Sequence, residues 1–396
     1  MGAFDLIETM TLSAGERAAI VADATHSADF LICGNRIRIL GNTPLPAEKY
    51  LRYYRAFAAE RADQAADLAV YCRLSDSASG RAVTFLAGDE AYRITDPDVI
   101  DHLDTTLDYL IFPRIRSHYL VHAGCVSRGG QGMILSGSSG MGKTTLTTYL
   151  VSRGMGYLSD EIAPIHRKDC TVEPFPLRLG VRPGPARKLV EGLPGDDFSY
   201  GTDEKRLVDV RDLGGPPVRG PVPLHAVVFL AQRATKEVST PLKFAGEVRV
   251  SFLGVTPEFR TELLEKTGTT LVREEKLSPK VVAWRLRVAD SSSFLPTLYA
   301  VAGKHGLPVA GVEYEDIDRH DFSVSPHLVE LPKSSGVMEL IKKMSSFQKQ
   351  RIMDADFNGK MPPFVQGITQ LTRGVAFYKL SPGRLDEMLS ALEGLP

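Results

Sequence analysis

Cysteine is scarce in this sequence, and its four copies form no recognisable local motif. No two of them make a C-x-x-C pair, and none has a histidine partner at the spacing of a zinc finger. This scarcity excludes a small secreted scaffold held together by disulfides. We expect buried free thiols at all four positions, in a protein of the reducing cytoplasm. The positions are Cys33, Cys72, Cys125 and Cys170.

A strong charge of one sign and long apolar runs are also missing. The formal net charge is −1, which supplies no general field for attracting DNA, RNA or an anionic membrane. No run approaches the roughly 18–20 apolar residues that span a bilayer. The start, MGAFDLIETM, has an early acid and no apolar core, and Leu6 stands where a myristoylation site needs Ser or Thr. We therefore expect a cytoplasmic protein with neither nucleic acid nor membrane as a partner.

What is present is the composition of an ordinary globular protein, with 43% hydrophobic and 24% charged residues. The alternation of helical and strand-like patterns predicts the α/β class. We expect an N-terminal α/β domain over residues 1–115 and a second domain over 116–396, joined by a helix that opens at Asp96-Pro97. In the first domain, the helical patterns lie at 13–24 and 47–62, and the strand-like runs at 29–40, 67–74 and 82–88.

The second domain begins with a compact pattern of strands and a helix. Two stretches rich in Pro, Gly and Arg, 173–188 and 213–223, are expected to be extended surface loops. The segment 233–364 is expected to elaborate the acceptor site. Further strands are expected at 119–127, 132–136, 155–165, 225–231, 281–289, 307–315 and 374–380, and helices at 144–153, 334–347 and 383–395.

The most informative stretch is GSSGMGKTT at residues 137–145. It fits the G-x-x-x-x-G-K-[ST] pattern, in which glycines let backbone N–H groups curl around phosphate oxygens at the start of a helix. The lysine neutralises β/γ-phosphate charge, and the following threonine binds Mg²⁺. A strand is expected before the stretch and a helix after it, as this motif requires. The predicted nucleotide-binding residues here are Gly137, Ser138, Ser139, Gly140, Met141, Gly142, Lys143, Thr144 and Thr145.

An acidic pair, Asp160-Glu161, follows this helix at an informative distance. About ten helical residues at 1.5 Å carry the chain roughly 15 Å from the phosphates, and four or five strand residues at about 3.3 Å bring it back. The pair therefore returns to the level of the loop, where a metal ligand or a catalytic base is needed. A solvated turn or a helix cap is the ordinary alternative for such a pair.

The run from His122 through Asp160-Glu161 resembles the catalytic domain of the HPr kinase/phosphorylase family and its relatives, including kinases of lasso-peptide precursors. That family shares a histidine on the strand before a turn, a G-x-S-G-x-G-K-[ST] loop and an acidic pair after the first helix. The resemblance implies a fold close to that of phosphoenolpyruvate carboxykinase, with ATP or GTP and Mg²⁺ bound by the loop. It also implies that Asp160 acts as base toward a serine hydroxyl, or as acid in the reverse phosphorolysis.

Other candidates have two interpretations each. His122 is either a γ-phosphate neighbour or a core histidine, and Arg206 is either a phosphate contact or a solvated loop cation. Among the loop cations, we include Arg206 in the predicted nucleotide-binding residues. The same alternatives apply to Arg178, Arg182, Arg187 and Lys205. DADFNG at 354–359 imitates the start of a calcium loop, but Val365 stands where the bidentate Glu is needed, so we interpret it as a turn.

The sequence thus predicts a Mg²⁺-dependent kinase that transfers the γ-phosphoryl group of ATP, or of GTP, to a hydroxyl of a peptide, protein or small molecule. The catalytic residues are expected to be Asp160, His122 and Lys143, and the metal ligands Thr144, Asp160 and Glu161. Two alternatives stay open: a nucleotide-binding regulatory module without transferase activity, and a P-loop NTPase. The acceptor and the formation of a homo-oligomer are not determined by the sequence.

Overall fold

The computed structural model describes residues 8–60, 65–77, 80–95, 100, 103–137, 141–183, 185–200, 203–216, 218–230, 246–253, 255–276, 281–288, 291–307, 309–315 and 325–395. The strands are β1 Glu8–Met10, β2 His26–Ile32, β3 Asn35–Gly41, β4 Ala58–Ala59, β5 Leu68–Ser77, β6 Gly80–Ala87, β7 Glu90–Thr95, β8 His118–His122, β9 Gly124–Arg128, β10 Gln131–Gly137, β11 Gly156–Ser159, β12 Ile162–His166, β13 Thr171–Val172, β14 Leu179–Val181, β15 Gly195–Tyr200, β16 Asp203–Val208, β17 Val222–Leu230, β18 Gly246–Leu253, β19 Thr270–Lys276, β20 Val281–Val288, β21 Val309–Glu315, β22 Leu328–Glu330 and β23 Ala376–Leu380. The helices are α1 Ala14–Asp23, α2 Leu45–Tyr54, α3 Leu103–Ile111, α4 Lys143–Ser152, α5 Pro185–Leu189, α6 Pro257–Thr267, α7 Ser291–Lys304, α8 Lys333–Lys343, α9 Ser346–Phe357, α10 Met361–Leu371 and α11 Leu385–Glu393.

These elements build several sheets with helices around them, which confirms the α/β class. Two compact units divide the chain: one contains the described residues from 246 to 315, and the other contains the remaining described residues. The division expected between 115 and 116 stays a prediction. Among the described residues, no helix is both long enough and apolar enough to cross a membrane.

The first part of the larger unit is a seven-stranded sheet in the order β1-β7-β6-β5-β3-β2-β4. The run 29–40, expected as one strand, is instead the hairpin β2–β3. The chain reverses at Cys33 and Gly34, which have φ angles of 50° and 70°. Gly34 indicated a turn, but the apolar residues on both sides gave the pattern of one continuous strand. The expected helix at 96–113 appears as α3, and its predicted start at Asp96-Pro97 lies outside the described residues.

The centre of the larger unit is a nine-stranded sheet. Seven strands follow the order β11-β9-β10-β17-β13-β12-β8, and β23 pairs with β17 and β22. The pairs β10–β17 and β17–β23 are parallel. Successive side chains of β10 and β17 enter different cores, because residues alternate across a strand. Strands buried on both faces in this way form the middle of a three-layer structure.

Helices cover both faces of this sheet. On one face, α8, α9 and α10 pack over Ile134 and Val227 through residues such as Leu340 and Ile368. On the other face, α4 and α11 pack over Leu135 and Val228. The sheet therefore holds β10 rigidly between two cores, and the loop that follows β10 emerges from its carboxyl end.

The Pro- and Arg-rich stretch 173–188 is more regular than expected. It contains β14 and α5, and β14 joins β16 and β15 in a three-stranded sheet, in the order β14-β16-β15. Leu179 and Val181 of β14 are fully buried against α4. Two apolar side chains spaced two residues apart gave the strand signal, which the surrounding prolines masked.

The unit from 246 to 315 has its own sheet, in the order β19-β20-β18-β21. Its core surrounds Trp284 and Phe259, which are fully buried, and includes apolar residues of α6 and α7. The strands expected at 281–289 and 307–315 appear here as β20 and β21. This core is separate from the two cores of the nine-stranded sheet.

Candidate active site

The candidate site lies at the carboxyl end of β10, where the chain passes into α4. A side-chain carbon on Gly137 would lie 2.9 Å from the carbonyl oxygen of Leu230, so only glycine fits there. Gly142, just before α4, has a φ angle of 81°, which is in the left-handed region that favours glycine. The strand and the helix expected around 137–145 are present as β10 and α4, while Ser138, Ser139 and Gly140 lie outside the described residues.

Lys143 is the first residue of α4 and is buried, with 9% of its surface exposed. Its Nζ donates a hydrogen bond of 3.0 Å to the carbonyl oxygen of Gly137. Burial lowers the pKa of Lys143, while the nearby charges of Glu161 and Asp160 act in the opposite direction. The ammonium group thus lies beside the carboxyl end of β10. Met141 and Thr145, on either side, are also buried.

Asp160 lies at the bend between β11 and β12 and is only 3% exposed. The Thr144 hydroxyl donates a 2.9 Å hydrogen bond to its Oδ2. Its Oδ1 is buried and accepts no hydrogen bond from the described protein. A buried carboxylate oxygen without a partner is costly, so it indicates a place for a proton or a cation.

The electrostatic state of Asp160 follows from this burial. Burial and the negative charge of Glu161 raise its pKa to about 7, against the hydrogen bond from Thr144 and the charges of Lys143 and Lys205. Gly124 of β9 leaves space for Thr147 of α4 beside Asp160, since a side-chain carbon on Gly124 would lie 2.2 Å from Thr147 Oγ1. The carboxyl group can therefore gain or lose its proton near neutral pH.

Glu161 and His122 form the more open edge of the site. Because Ile162 pairs with His122 across β12 and β8, the acidic bend lies beside the end of β8. His122 Nδ1 donates to the carbonyl oxygen of Glu161 at 3.0 Å and lies 3.7 Å from Glu161 Oε2. The side chain of His122 is 58% exposed, which places it at a surface and not in a core.

Three causes lower the pKa of His122: first partial desolvation, then the positive charge of Lys143, and then that of Lys343. A carbonyl oxygen can only accept a hydrogen bond, so the proton of the neutral ring belongs on Nδ1. The Nε2 atom then keeps its lone pair. The neutral histidine can accept a proton or a hydrogen bond through that atom.

The structure separates the cations that the sequence grouped together. Arg206 directs its guanidinium to the carbonyl oxygen of Leu193, at 2.8 Å, and to Asp197 Oδ2, at 3.5 Å. Lys205, the preceding residue of β16, acts electrostatically on Asp160. Neighbouring residues of a strand point to opposite faces. Of the two residues, Lys205 is the one whose charge acts on the acidic bend.

The other three candidate arginines also have different positions. Arg182 acts on Lys143 and lowers its pKa, so its charge is felt at the loop. Arg178 and Arg187 instead form surface ion pairs with Asp196 and Asp197, both at 2.7 Å. Only Arg182 among the three thus contributes to the field at the glycine loop.

One cation near the site was missed by the sequence analysis. Lys343, the last residue of α8, lowers the pKa of both His122 and Lys143 through its positive charge. A bridge between Val121 and Met344 holds this helix end against β8. The contact joins segments far apart in the chain, and no local pattern marks it. Lys343, Lys143 and Arg182 together make the site electropositive.

The arrangement can hold an anionic ligand and a hard cation. Lys143 and the backbone at the start of α4 suit phosphate oxygens. The Thr144 hydroxyl and the two carboxylates Asp160 and Glu161 are oxygen ligands of the kind that Mg²⁺ prefers. The unpartnered Oδ1 of Asp160 is the observation that fits such a cation best.

Comparisons with known proteins give little further information. No protein-family model and no curated protein matches the sequence. Among solved structures, the chain matches the HPr(Ser) kinase/phosphatase from Coxiella burnetii at 19% identity and a TM-score of 0.20, over 32% of this chain and 75% of that chain.

Proposed function

We propose that this chain is a Mg²⁺-dependent kinase that transfers the γ-phosphoryl group of ATP to a hydroxyl group, with a serine hydroxyl as the expected acceptor. The observation that carries the proposal is the 2.9 Å contact between Thr144 Oγ1 and Asp160 Oδ2 beside the buried Lys143. The Thr144 hydroxyl, next in the chain to Lys143, thus contacts the Asp160 carboxylate. Phosphoryl transfer requires cations and an acid or base at one point, and these residues supply them.

The proposal includes the type of fold. The elements from β10 to α4 would be the phosphate-binding core of an enzyme related to HPr kinase and phosphoenolpyruvate carboxykinase. The sheet β1–β7 would belong to an added N-terminal domain. The residues from 137 to 145 support this assignment through their order: strand, glycine loop, lysine, threonine and helix.

In the nucleotide complex, the backbone at the start of α4 and the Lys143 ammonium group would bind the β- and γ-phosphates. Mg²⁺, held by Thr144, Asp160 and Glu161, would neutralise phosphate charge. Arg182, Lys205 and Lys343 add positive charge around the same point. Such fixed charges stabilise a transition state without reorganising at the moment of reaction. His122 lies beside Glu161 and would contact the γ-phosphate through Nε2.

The transfer step would use the ionised carboxylate of Asp160 as the base. In the metal-free site its pKa is about 7. Bound Mg²⁺ would lower this pKa, so the ionised form would predominate at neutral pH. It would accept the proton of the acceptor hydroxyl while the oxygen forms its bond to the γ-phosphorus. The bond between the γ-phosphorus and the bridging β,γ-oxygen breaks, and ADP leaves with that electron pair. In the reverse direction the protonated Asp160 would act as the acid.

The test is a transfer assay with the full chain, Mg²⁺ and ATP labelled at the γ-phosphate, in a lysate of the native host. Labelling of a specific acceptor is expected, and GTP in place of ATP shows the base preference. We expect Lys143→Ala to abolish both binding and transfer, and Asp160→Asn to lose transfer while retaining most of the nucleotide affinity. Lys188→Ala, an exposed lysine of α5, is the matched control and should behave like the wild type.

Three results would contradict the proposal in distinguishable ways. Tight nucleotide binding without transfer to any acceptor would indicate a regulatory module. Release of inorganic phosphate without an acceptor would indicate an NTPase. Unchanged nucleotide binding in Lys143→Ala would refute the assignment of the phosphate-binding site to Lys143 and its loop.

A further inference from the structure

A second cluster of metal-ligating side chains lies away from the candidate active site. Cys33, His118 and Glu173 each place one ligand atom within 4.8 Å of the other two. His118 Nε2 and Glu173 Oε2 are 3.0 Å apart. The three residues come from the β2–β3 turn, the start of β8 and the segment after β13. Their proximity is a product of the fold and has no local sequence signature.

The backbone at Cys33 holds its thiol in an unusual place. Both turn residues have positive φ angles, and the first position of such a turn normally takes Asn, Asp or Gly. A cysteine with a φ angle of 50° is disfavoured there. Its surface is nevertheless only 4% exposed. A disfavoured conformation that buries a thiol beside a histidine and a carboxylate suggests a role for that thiol.

Hydrogen bonds around His118 orient its free nitrogen toward the other two ligands. Ser117 Oγ donates to the carbonyl oxygen of Cys33 at 3.3 Å, so the same hydroxyl accepts from His118 Nδ1 at 2.9 Å. Asn35 Nδ2 donates to the same carbonyl oxygen at 2.7 Å and fixes the turn. With its proton on Nδ1, His118 presents a lone pair on Nε2 to Glu173 Oε2. Two acceptors 3.0 Å apart are stabilised by a positive species between them, either a proton or a metal ion.

We propose that Cys33, His118 and Glu173 bind one Zn²⁺ ion through Sγ, Nε2 and a carboxylate oxygen. Sulfur, imidazole and carboxylate ligands together favour zinc over the harder cations. The side chain of Glu173 is 30% exposed, which lets a water molecule reach the fourth position. On binding, the Cys33 thiol loses its proton to solvent as the thiolate bonds to zinc, and the histidine stays neutral.

A contact of His118 with a neighbouring side chain agrees with this proposal. The hydrogen bond from His118 Nδ1 to Ser117 is the kind of contact that fixes the tautomer of a metal-bound histidine. A divalent ion would neutralise the Cys33 thiolate and the Glu173 carboxylate, whose ligand atoms lie within 4.8 Å of each other.

The position of the ion suggests what it does. Cys33 belongs to the first sheet and His118 to the nine-stranded sheet, so the ion would join the two sheets. His118 and His122 lie at opposite ends of β8, four residues or about 13 Å apart at 3.3 Å per residue. The zinc is therefore too far from His122 to take part in its chemistry. It would fix the strand that positions His122.

The test uses the full chain, stripped with a chelator and loaded with Co²⁺ or Zn²⁺ in the absence of nucleotide. We expect one equivalent of thiolate-bound metal, seen as a thiolate-to-cobalt charge-transfer band, and a higher melting temperature with zinc. Cys33→Ser should lose the band. Cys72→Ser, a buried cysteine in the same sheet, is the matched control and should keep it.

Glu173→Gln keeps the test decisive if Cys33→Ser does not fold, because this side chain is partly exposed. It should weaken zinc binding by at least about tenfold. Changing a residue that only hydrogen-bonds to a metal ligand already lowers metal affinity by about 10–100-fold. Asp160→Asn should keep the thiolate-to-cobalt band, because the proposed Mg²⁺ site contains no thiolate, and this separates the two sites. Absence of the charge-transfer band in the wild type, or full binding by both Cys33→Ser and Glu173→Gln, would overturn the proposal.

Discussion

Replacing Asp160 by asparagine should change the pH dependence of stability in a direction that exposed aspartates do not show. The folded protein raises the pKa of Asp160 from 3.8 to about 7. Between these values the folded state holds a proton that the unfolded state has released. Stability therefore falls as pH rises through this window, and the loss is complete above about pH 7. The asparagine side chain cannot ionise, so the variant lacks this loss.

The size of the effect follows from the same two values. At 1.36 kcal/mol per pH unit, the difference between 3.8 and about 7 corresponds to about 4 kcal/mol. About 2.5 kcal/mol of it lies between pH 5 and pH 8. The amide can still accept the hydrogen bond from Thr144, but its NH₂ group replaces the unpartnered Oδ1. An unpartnered buried donor costs about 1–3 kcal/mol at every pH, so it shifts the curve without changing its slope.

The assay must report on the unit that contains Asp160. The single tryptophan, Trp284, is buried in the unit from 246 to 315, so tryptophan fluorescence would follow the wrong unit. Hydrogen exchange of peptides from β11 and β12, measured from pH 5 to pH 8 and corrected for intrinsic exchange, gives the local opening free energy. Asp76→Asn, at an exposed position on β5, is the control.

We expect the difference in opening free energy between Asp160→Asn and the wild type to shift by about 2.5 kcal/mol in favour of the variant from pH 5 to pH 8. The same variant should lose phosphoryl transfer by about 10²–10⁴-fold, because it lacks the proposed base. Parallel stability curves for the two proteins would refute the argument that Asp160 is buried beside Glu161 with a raised pKa. Normal transfer with the expected stability change would refute its role as base while leaving the burial intact.

Four further predictions can be measured on the same protein. Lys343→Ala should raise the pKa of His122 in an NMR titration, because it removes a positive charge, whereas Lys342→Ala, which loses a surface pair with Glu339, should not. Glu161→Gln should show a transfer defect that eases as Mg²⁺ is raised, unlike that of Asp160→Asn. Gly336→Ala in α8 should destabilise the larger unit by about 1–3 kcal/mol, because its new carbon would lie 2.2 Å from Phe377 Cγ. Chemical denaturation followed by circular dichroism measures this loss. Gly15→Ala, whose new carbon would meet open space, should not be destabilised. Tyr299→Ser, at an exposed position in the unit from 246 to 315, should keep the nucleotide affinity measured by calorimetry, and loss of that affinity would contradict our assignment of the segment to the acceptor.

The part of the site that is local in sequence could be predicted from sequence. Glycine spacing marked the loop, and periodicity marked β10 and α4. The lengths of one helix and one strand then returned Asp160 to the loop, where it lies 2.9 Å from Thr144. These inferences needed only the rise per residue and the fact that a short turn reverses the chain.

The rest depends on contacts between distant segments or on strand phase. Lys343 reaches the site because α8 packs against β8, and nothing near Lys343 in sequence indicates that. Arg206 was preferred over Lys205 because arginine suits phosphate, but the phase of β16 decides which side chain faces Asp160. The turn at Cys33 was missed because apolar residues on both sides gave the appearance of one strand.

The pairing of β22 with β23 has a consequence for how the chain can be shortened and how it folds. Leu230 and Leu328 pair with Leu380 from opposite sides, so the chain leaves and rejoins the nine-stranded sheet two strands, or about 10 Å, apart. At the other end of the excursion, Glu247 pairs directly with Glu315. The intervening unit is therefore a loop insertion with its two ends together, and a linker of a few glycines and serines could replace it without breaking the sheet. During synthesis, this insertion can fold before the nine-stranded sheet is complete, because β23, the last strand of that sheet in the sequence, leaves the ribosome later.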